Sequence, residues 1–491
     1  MKQIIKSSFF QLLVIYVILV ALVSFELLFK YTLHFEIFAV LLGLFALVLT
    51  KEKEVKINKL WLILPLILIL VIRILPYLNN SVPLGYDPGI YKYAFEGFTD
   101  NWVYLTFPLG FLTLIGVLKN IFTIEQLLIP FFMFITLLLG FMIYATAKRF
   151  FNENVAILST IVYSLSIVQF KVFSYFYYKN SIALILILLA FYLIEINSLL
   201  FIPVAAFLGG FHRPTFLIFG LTFLMYTLIN KNKVKNIIYG CSILLLTIPF
   251  YLSNFKELIL NQIEPLVTAN IGAGTFITFF QYQFSTLIYL PFALIGFIYL
   301  IKEKKFNLIF LSTLILLVIV YFQLVFFNRF LVHLDIFLII LAGYGFYLIL
   351  QNNKRLGLIL IGLLIISGVF ISLKQDKTPL ISEEELEIIS TLENNSYVLV
   401  TDSRYSPWVL GYSKSKTIAP GLFDYNIWDY EEWTKFWNAK PEESVEMLKV
   451  FEKPLYIFIG RNQRQNLNTF NSTCFNKVLE QNRTYIYRFE C

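Results

Sequence analysis

The sequence predicts an α-helical polytopic membrane protein with about 13 transmembrane helices and a small C-terminal α/β extracytoplasmic domain. Three observations predict it. First, 58% of the 491 residues are hydrophobic and only 14% are charged, against about 25% charged in a soluble domain. Second, the apolar residues come in runs near the ~20 that a helix needs to cross a hydrocarbon core. Third, residues 374–491 break the pattern, with 14 Lys and Arg against 17 Asp and Glu. These features exclude an ordinary cytosolic enzyme, a disordered chain and a disulfide-rich secreted scaffold. The net charge is +8, but the Lys and Arg lie in short clusters between apolar runs, so no nucleic-acid partner is expected.

Thirteen runs read as spans: 9–29, 32–50, 60–78, 126–147, 154–171, 180–196, 199–211, 214–230, 237–253, 284–301, 307–326, 331–350 and 356–373. The seventh is short, with a break expected at Gly209-Gly210. Backbone polar groups in lipid must be satisfied within the segment, and barrel strands would alternate rather than run continuously, so these are helices. The first run is too long for a signal-peptide core and no small-residue cleavage site follows it.

Basic residues in short loops set the orientation. A cytoplasmic N-terminus puts Lys2, Lys6, Lys51, Lys53, Lys56, Lys59, Lys148, Arg149, Lys231, Lys233, Lys235, Lys302, Lys304, Lys305, Lys354 and Arg355 inside, 16 of the 25 basic residues before residue 374. The C-terminus is then outside, and the protein is expected as a multi-pass protein of the cell membrane surrounded by membrane lipids. Sequons at Asn79, Asn394, Asn471 and Asn482 fall on the outer side, which agrees but carries little weight.

The domain boundaries follow: 1–373 as the transmembrane domain, with a first outer loop at 79–125 and a second large one at 254–283, and 374–491 as the soluble domain. In the first loop, Pro83, Gly85, Pro88 and Gly89 bracket Asp87 in a turn, and IYKYAFEGF has helical spacing. Residues 103–122 read as a helix lying at the interface. The second loop contains Gly272 and Gly274 and reads either as a substrate-covering segment or as a passive interfacial loop. In the tail, Ser382 and Glu385 form a capping box. YVLVTD, PLYIFIG and TYIYRFE read as strands, and EEWTKFW and EESVEMLKVFE as helices. Cys241 lies in a span as packing; Cys474 and Cys491 lie outside, where a bridge can persist, and the spacing leaves its formation open.

Charge near a bilayer is costly and marks function or an interface. Under this topology the outer helix ends collect Arg73, Asp87, Lys92, Glu96, His212, Arg213, Arg329, His333 and Asp335. Such a set suits a lipid-linked phosphate: Arg and His hold the phosphate, and a carboxylate orients or deprotonates an acceptor hydroxyl. Each residue also has a plainer reading. Arg73 can snorkel from a helix end, Lys92 and Glu96 can be a solvated i,i+4 pair, and Asp87 can shape its turn. His212 can be an interfacial anchor, and His333 and Asp335 can be structural. No His, Asp or Glu set has metal-ligand spacing, so no cofactor is expected, and a divalent metal could be held only by residues brought together in space.

At these residues the chain resembles the GT-C superfamily of integral membrane glycosyltransferases. GYDPGIYKYAFEGF resembles that family's first outer loop, in which an essential acidic residue falls on Asp87. FPLGFLTLIGVLKNIF resembles the apolar stretch that follows, and LGGFHRPTFLIFG the turn carrying a basic residue, here Arg213 with His212. FFNRFLVHLDIFLIILAGYG resembles the late span that opens on an Arg-aromatic pair, Arg329-Phe330. VLVTDSRYSPWVLGY and TIAPG resemble the outer C-terminal domains of such proteins. The chain departs from the family pattern at FSYFYYKNSIAL, where Lys179 and Asn180 stand in place of a second acidic residue. It also lacks an adjacent DxD-type pair, and two extra spans precede the first loop.

The resemblance implies an inverting transfer of a sugar from a polyprenyl-phosphate-linked donor to a lipid, glycan or protein acceptor on the outer face. It implies Asp87 as the catalytic carboxylate and Arg213 and Arg329 as phosphate ligands, with Arg73, His212 and His333 assisting. The rival readings are a lipid or solute transporter and a non-catalytic multi-pass protein whose tail binds a partner. A transporter would show repeats and midplane charges, and neither is evident.

Overall fold

The computed structural model describes residues 39–47, 49, 54–78, 80–97, 103, 106–252, 277–375, 377–413, 415–420, 427–463 and 466–491. The first expected span, about half of the second, and most of the 254–283 loop lie outside these residues. The chain forms two compact units. One comprises Met1–Leu75, Pro108–Thr113 and Phe131–Asp376; the other comprises Pro76–Phe107, Leu114–Pro130 and Lys377–Cys491. The second unit thus draws first-loop residues and tail residues together.

The first unit is helical. Among the described residues of the chain, six helices are long and apolar enough to cross a membrane: Lys59–Tyr77, Ile124–Phe150, Tyr178–Glu195, Lys233–Phe250, Phe327–Asn352 and Lys354–Lys374. Two bent pairs raise this to eight, Glu153–Leu165 with Ile167–Ser174 at 54° and Phe279–Thr286 with Leu290–Lys302 at 81°. The expected runs 199–211, 214–230 and 307–326 appear as the shorter apolar helices Phe201–Phe211, Arg213–Ile229 and Leu308–Tyr321. By its helices this is a membrane protein.

The core of this unit is the helix Leu331–Asn352, buried on every side from Leu331 to Leu350. A helix apolar all round must be enclosed by others, and its small residues allow this. A Cβ on Gly345 would meet the Phe292 carbonyl oxygen at 2.0 Å, and one on Gly343 the Ser159 hydroxyl at 2.1 Å. Close backbone approach at small residues is the usual packing device between membrane helices.

The seventh run does not break where its glycines suggested. Gly209 and Gly210 are helical, and the helix ends at Phe211, where His212 turns extended (φ −152°, ψ 103°). Pro214 lacks an N–H and is tolerated in the first turn of the next helix. The glycines serve packing instead: a Cβ on Gly210 would lie 2.2 Å from the Phe250 ring.

The second unit contains a five-stranded sheet of β1 (Tyr397–Val400), β2 (Lys416–Ile418), β3 (Leu455–Ile459), β4 (Phe475–Gln481) and β5 (Thr484–Phe489). Its order is β2-β1-β3-β5-β4. β1 pairs in parallel with β2 and β3, and β5 is antiparallel to β3 and β4. Side chains alternate along a strand, so the sheet buries both faces. Val398, Val400 and Phe458 join Trp408 and Ile389 on one face, while Leu399, Leu455 and Ile457 join Trp433 and Phe436 on the other. Helix Glu383–Ser390 starts at the expected box, with Ser382 and Glu385 capping each other. Cys474 and Cys491 are bridged, with Cα atoms 5.1 Å apart.

The first-loop helix Pro88–Glu96 packs on the helix Ser406–Ser413 through two glycines. A Cβ on Gly89 would sit 1.9 Å from the Pro407 carbonyl oxygen, and one on Gly411 would sit 2.2 Å from that of Gly89. Lys92 is not a solvated partner of Glu96. Their side chains are only 13% and 12% exposed, and Lys92 Nζ also donates to the Gly411 carbonyl at 3.2 Å and lies 4.9 Å from the Tyr412 ring centroid.

Candidate anion site

The site in the first unit is built at helix ends. Lys179 is the second residue of Tyr178–Glu195, and Arg213 opens Arg213–Ile229. Arg329 lies in the 3-10 turn Phe327–Phe330, just before Leu331. The chain reaches that turn through Gln323, Val325 and Phe326, all with positive φ. Such φ values are strained in a β-branched or bulky residue, and strain of this kind clusters at functional sites.

These charges are near one another. His212 lies in the field of Lys179, Arg213, Arg329 and His333. Arg213 feels Arg329 and Tyr251, and Arg329 feels Tyr177. The structure therefore brings together four of the expected residues, His212, Arg213, Arg329 and His333, and adds Lys179. Cations gathered at helix N-termini oppose both each other and the positive end of each helix dipole. An anion placed among them relieves both terms, and helix N-termini are natural anion sites.

Two histidines complete the group. His212 Nδ1 lies 2.6 Å from Thr215 Oγ1, and Thr215 Oγ1 lies 2.7 Å from His333 Nε2. His333 Nδ1 lies 3.2 Å from the Arg329 carbonyl oxygen. The two rings are nearly parallel, at 12° with centroids 6.1 Å apart. Thr215 had no signal in the sequence, being one threonine in an apolar helix.

Arg73 makes other contacts. It is 1% exposed, so it does not snorkel. Its guanidinium carbon lies 5.3 Å from the Tyr163 ring centroid, and Nη1 donates to the Ile69 carbonyl at 3.4 Å. Asp335 is fully buried and satisfied. Its Oδ2 accepts from Ser166 at 3.0 Å and from Gln169 at 2.7 Å, and its Oδ1 accepts from Tyr289.

Asp87 belongs to the second unit. It precedes Pro88–Glu96 in helical geometry, yet its side chain makes no capping bond, so helix capping does not explain it. Tyr86 beside it has its phenol pushed up, first by burial and then by the charges of Asp87 and Asp402, and its hydroxyl lies 3.5 Å from Ser406 Oγ.

No family model and no curated protein matches the chain. Solved structures do. ArnT from Cupriavidus metallidurans bound to undecaprenyl phosphate is similar over 88% of this chain and 98% of its own, at 12% identity and a TM-score of 0.61. The archaeal oligosaccharyltransferase AglB from Archaeoglobus fulgidus, in complex with an inhibitory peptide and a dolichol-phosphate, is similar over 81% of this chain and 68% of its own, at 12% identity and a TM-score of 0.58. A further structure of the Archaeoglobus fulgidus oligosaccharyltransferase, complexed with Zn and sulfate, matches at 11% identity over 81% of this chain and 67% of its own, with a TM-score of 0.56. Both proteins are GT-C superfamily membrane glycosyltransferases. The chain has the GT-C fold.

At such identities the likeness is one of fold, so the zinc of that neighbour needs testing on this chain's own residues. Among the described residues of this GT-C fold, no group of three or more His, Cys, Asp or Glu could hold a metal ion. His212 and His333 sit among cations, and Thr215 and the Arg329 carbonyl engage three of their four ring nitrogens. That donor set does not fit a divalent cation.

Proposed function

We propose that the protein is a membrane glycosyltransferase that moves a sugar from a polyprenyl-phosphate-linked donor to a lipid, glycan or protein acceptor at the outer membrane face. The observation that carries this reading is the gathering of Lys179, Arg213 and Arg329 at helix N-termini around His212. Such a group is built for a phosphate anion. The GT-C fold, and the undecaprenyl phosphate and dolichol-phosphate carried by two neighbours, support a lipid-linked phosphate as that anion.

In this reading an acceptor hydroxyl attacks the anomeric carbon, and the bond from that carbon to the phosphate oxygen breaks. The electron pair leaves with the phosphate, whose charge the cations meet. The acceptor proton passes to Asp87, and the anomeric centre inverts. The role of Asp87 rests on sequence order and on the resemblance of its loop. Arg73 acts by supporting its helix rather than by touching phosphate, and His333 acts through Thr215.

The test is release of polyprenyl phosphate. Purified protein in detergent is given a radiolabelled pool of polyprenyl-phosphate sugars and an acceptor extract. Release that depends on Arg213 and Arg329 supports the reading; no release from any sugar in the pool sinks it.

A further inference from the structure

We propose that His212, Thr215 and His333 form a directed hydrogen-bond relay that fixes both imidazoles as Nδ1–H tautomers and presents His212 Nε2 to the cationic group as a proton acceptor. Thr215 is the positioning residue of this relay. The tautomers follow from the hydrogen-bond geometry of two neutral rings; only the ligand at His212 Nε2 rests on the phosphate reading above.

The direction of the relay is set at one end by a group that cannot donate. The Arg329 carbonyl oxygen only accepts, so His333 Nδ1, 3.2 Å away, carries the proton. A neutral ring has a single N–H, so His333 Nε2 is an acceptor. Thr215 has one hydroxyl hydrogen and gives it to that nitrogen across 2.7 Å. The threonine oxygen then has only lone pairs left for His212, so His212 Nδ1 donates to it across 2.6 Å. His212 Nε2 is left as a lone pair. The charges of Lys179, Arg213 and Arg329 oppose a further cation at His212, and among the described residues Tyr251 lies in the field of Arg213 and Tyr177 in that of Arg329.

This arrangement gives His212 a task that suits a phosphate monoester. A monoester bound as its monoanion carries one O–H. That O–H bond breaks and an N–H bond forms at His212 Nε2. The Nδ1 proton of His212 then passes to the Thr215 oxygen as the threonine hydrogen passes to His333 Nε2. One proton enters and one is stored, so the balance closes. His212 ends neutral with Nε2–H donating to the phosphate, and His333 ends as an imidazolium whose Nδ1–H stays on the Arg329 carbonyl. The phosphate becomes a dianion, which the surrounding cations favour over a monoanion. A sugar phosphodiester has no such proton, so the relay distinguishes the released monoester from the donor.

The test is nitrogen NMR on the full-length chain in lipid, labelled at histidine. The chain has only three histidines, His34, His212 and His333, and His212→Gln and His333→Gln assign the two signals. Both rings are expected as Nδ1–H tautomers, against the Nε2–H form favoured in water. Thr215→Val should return His212 to Nε2–H, and Thr215→Ser should restore the wild-type signal. An Nε2–H signal at His212 in the wild type overturns the relay, whatever the folding of the variants. Undecaprenyl phosphate and inorganic phosphate are then added separately. An imidazolium signal at His333 with either one, absent in Thr215→Val, supports the proton transfer, and the more effective of the two shows whether the lipid is required. Nδ1–H tautomers that persist with no response to either ligand leave the relay standing and overturn the phosphate reading.

Discussion

Ser166 donates to Asp335 Oδ2 across 3.0 Å, and Ser166 is the residue at which the helix breaks between Leu165 and Ile167. Tyr289, which precedes the helix Leu290–Lys302 at the other sharp bend, donates to Asp335 Oδ1. One carboxylate on the buried central helix thus holds two broken helices at their breaks. Asp335→Leu would strand three buried donors, each costing about 1–3 kcal/mol, so a loss of about 3 kcal/mol or more is expected. Asp335→Asn keeps one acceptor oxygen and should lose less. Thermal unfolding in detergent measures both, and a leucine variant as stable as wild type would rule out the clasp.

The glycine contact in the second unit makes a separate prediction. A methyl group on Gly89 meets backbone, at 1.9 Å from the Pro407 carbonyl oxygen, which cannot move aside as a flexible side chain can. Gly89→Ala should cost about 1–3 kcal/mol through overpacking. Lys92→Met should cost a similar amount, about 1–3 kcal/mol, by leaving nearly buried polar groups at Glu96 and Gly411 without their ammonium. Limited proteolysis of the full chain should show faster cutting within both 76–107 and 377–491 in each variant. Unchanged cutting in Gly89→Ala would mean that the two helices do not pack as described.

Acid should weaken a neighbouring tie. The Ser81 N–H donates to Glu383 Oε1 at 3.0 Å, and the Ser81 hydroxyl donates to the same atom. These bonds hold the Glu383 carboxyl below the usual carboxylate range. A folded-state pKa below the unfolded one gives stability that is present above the unfolded value and lost as pH falls through the folded value. The difference in unfolding midpoint between wild type and Glu383→Gln should therefore shrink as pH drops below about 4. A difference that widens in acid has the wrong sign and excludes this bond as its source.

How much of this could be read from sequence varies with its physical cause. Long apolar runs and basic loops carry their own signal, so the helices from residue 59 onward fall near their expected places. β1, β3 and β5 announced themselves as apolar runs. β2 has three residues, and β4 is an edge strand with most side chains exposed, so neither had a period to read. Gly209-Gly210 looked like a break because glycine weakens a helix in isolation, whereas here the pair admits Phe250. Lys179 looked like a departure from a family pattern, yet its charge adds to the cations around His212. Thr215 and the Gly89–Gly411 contact depend on elements far apart in the chain, and no local pattern encodes such a meeting.

Asp87→Asn removes the charge of one carboxylate and keeps its shape. If Asp87 takes the acceptor proton, transfer should fall by about 100-fold or more, in the range for loss of a general base. Expression, unfolding midpoint and binding of undecaprenyl phosphate should stay at wild-type values. The amide variant cannot accept a proton at neutral pH, so retained turnover would remove Asp87 from the reaction and leave it as a turn-shaping residue.

The cations should divide binding from stability. Arg213→Ala or Arg329→Ala removes a charged donor, worth about 1.5–3 kcal/mol for a charge-assisted bond, so undecaprenyl phosphate affinity should fall by about 10-fold to 150-fold. Each variant's unfolding midpoint, measured alongside, separates a loss of phosphate binding from a loss of fold. Lys179→Glu places an anion in the field of His212 and should weaken phosphate more than Lys179→Ala does. Added salt should weaken wild-type binding most, as screening acts on the charges that attract the ligand. Calorimetric titration with undecaprenyl phosphate at two salt concentrations reads all of this. Affinity that is unmoved by either arginine variant would show that the group does not bind phosphate.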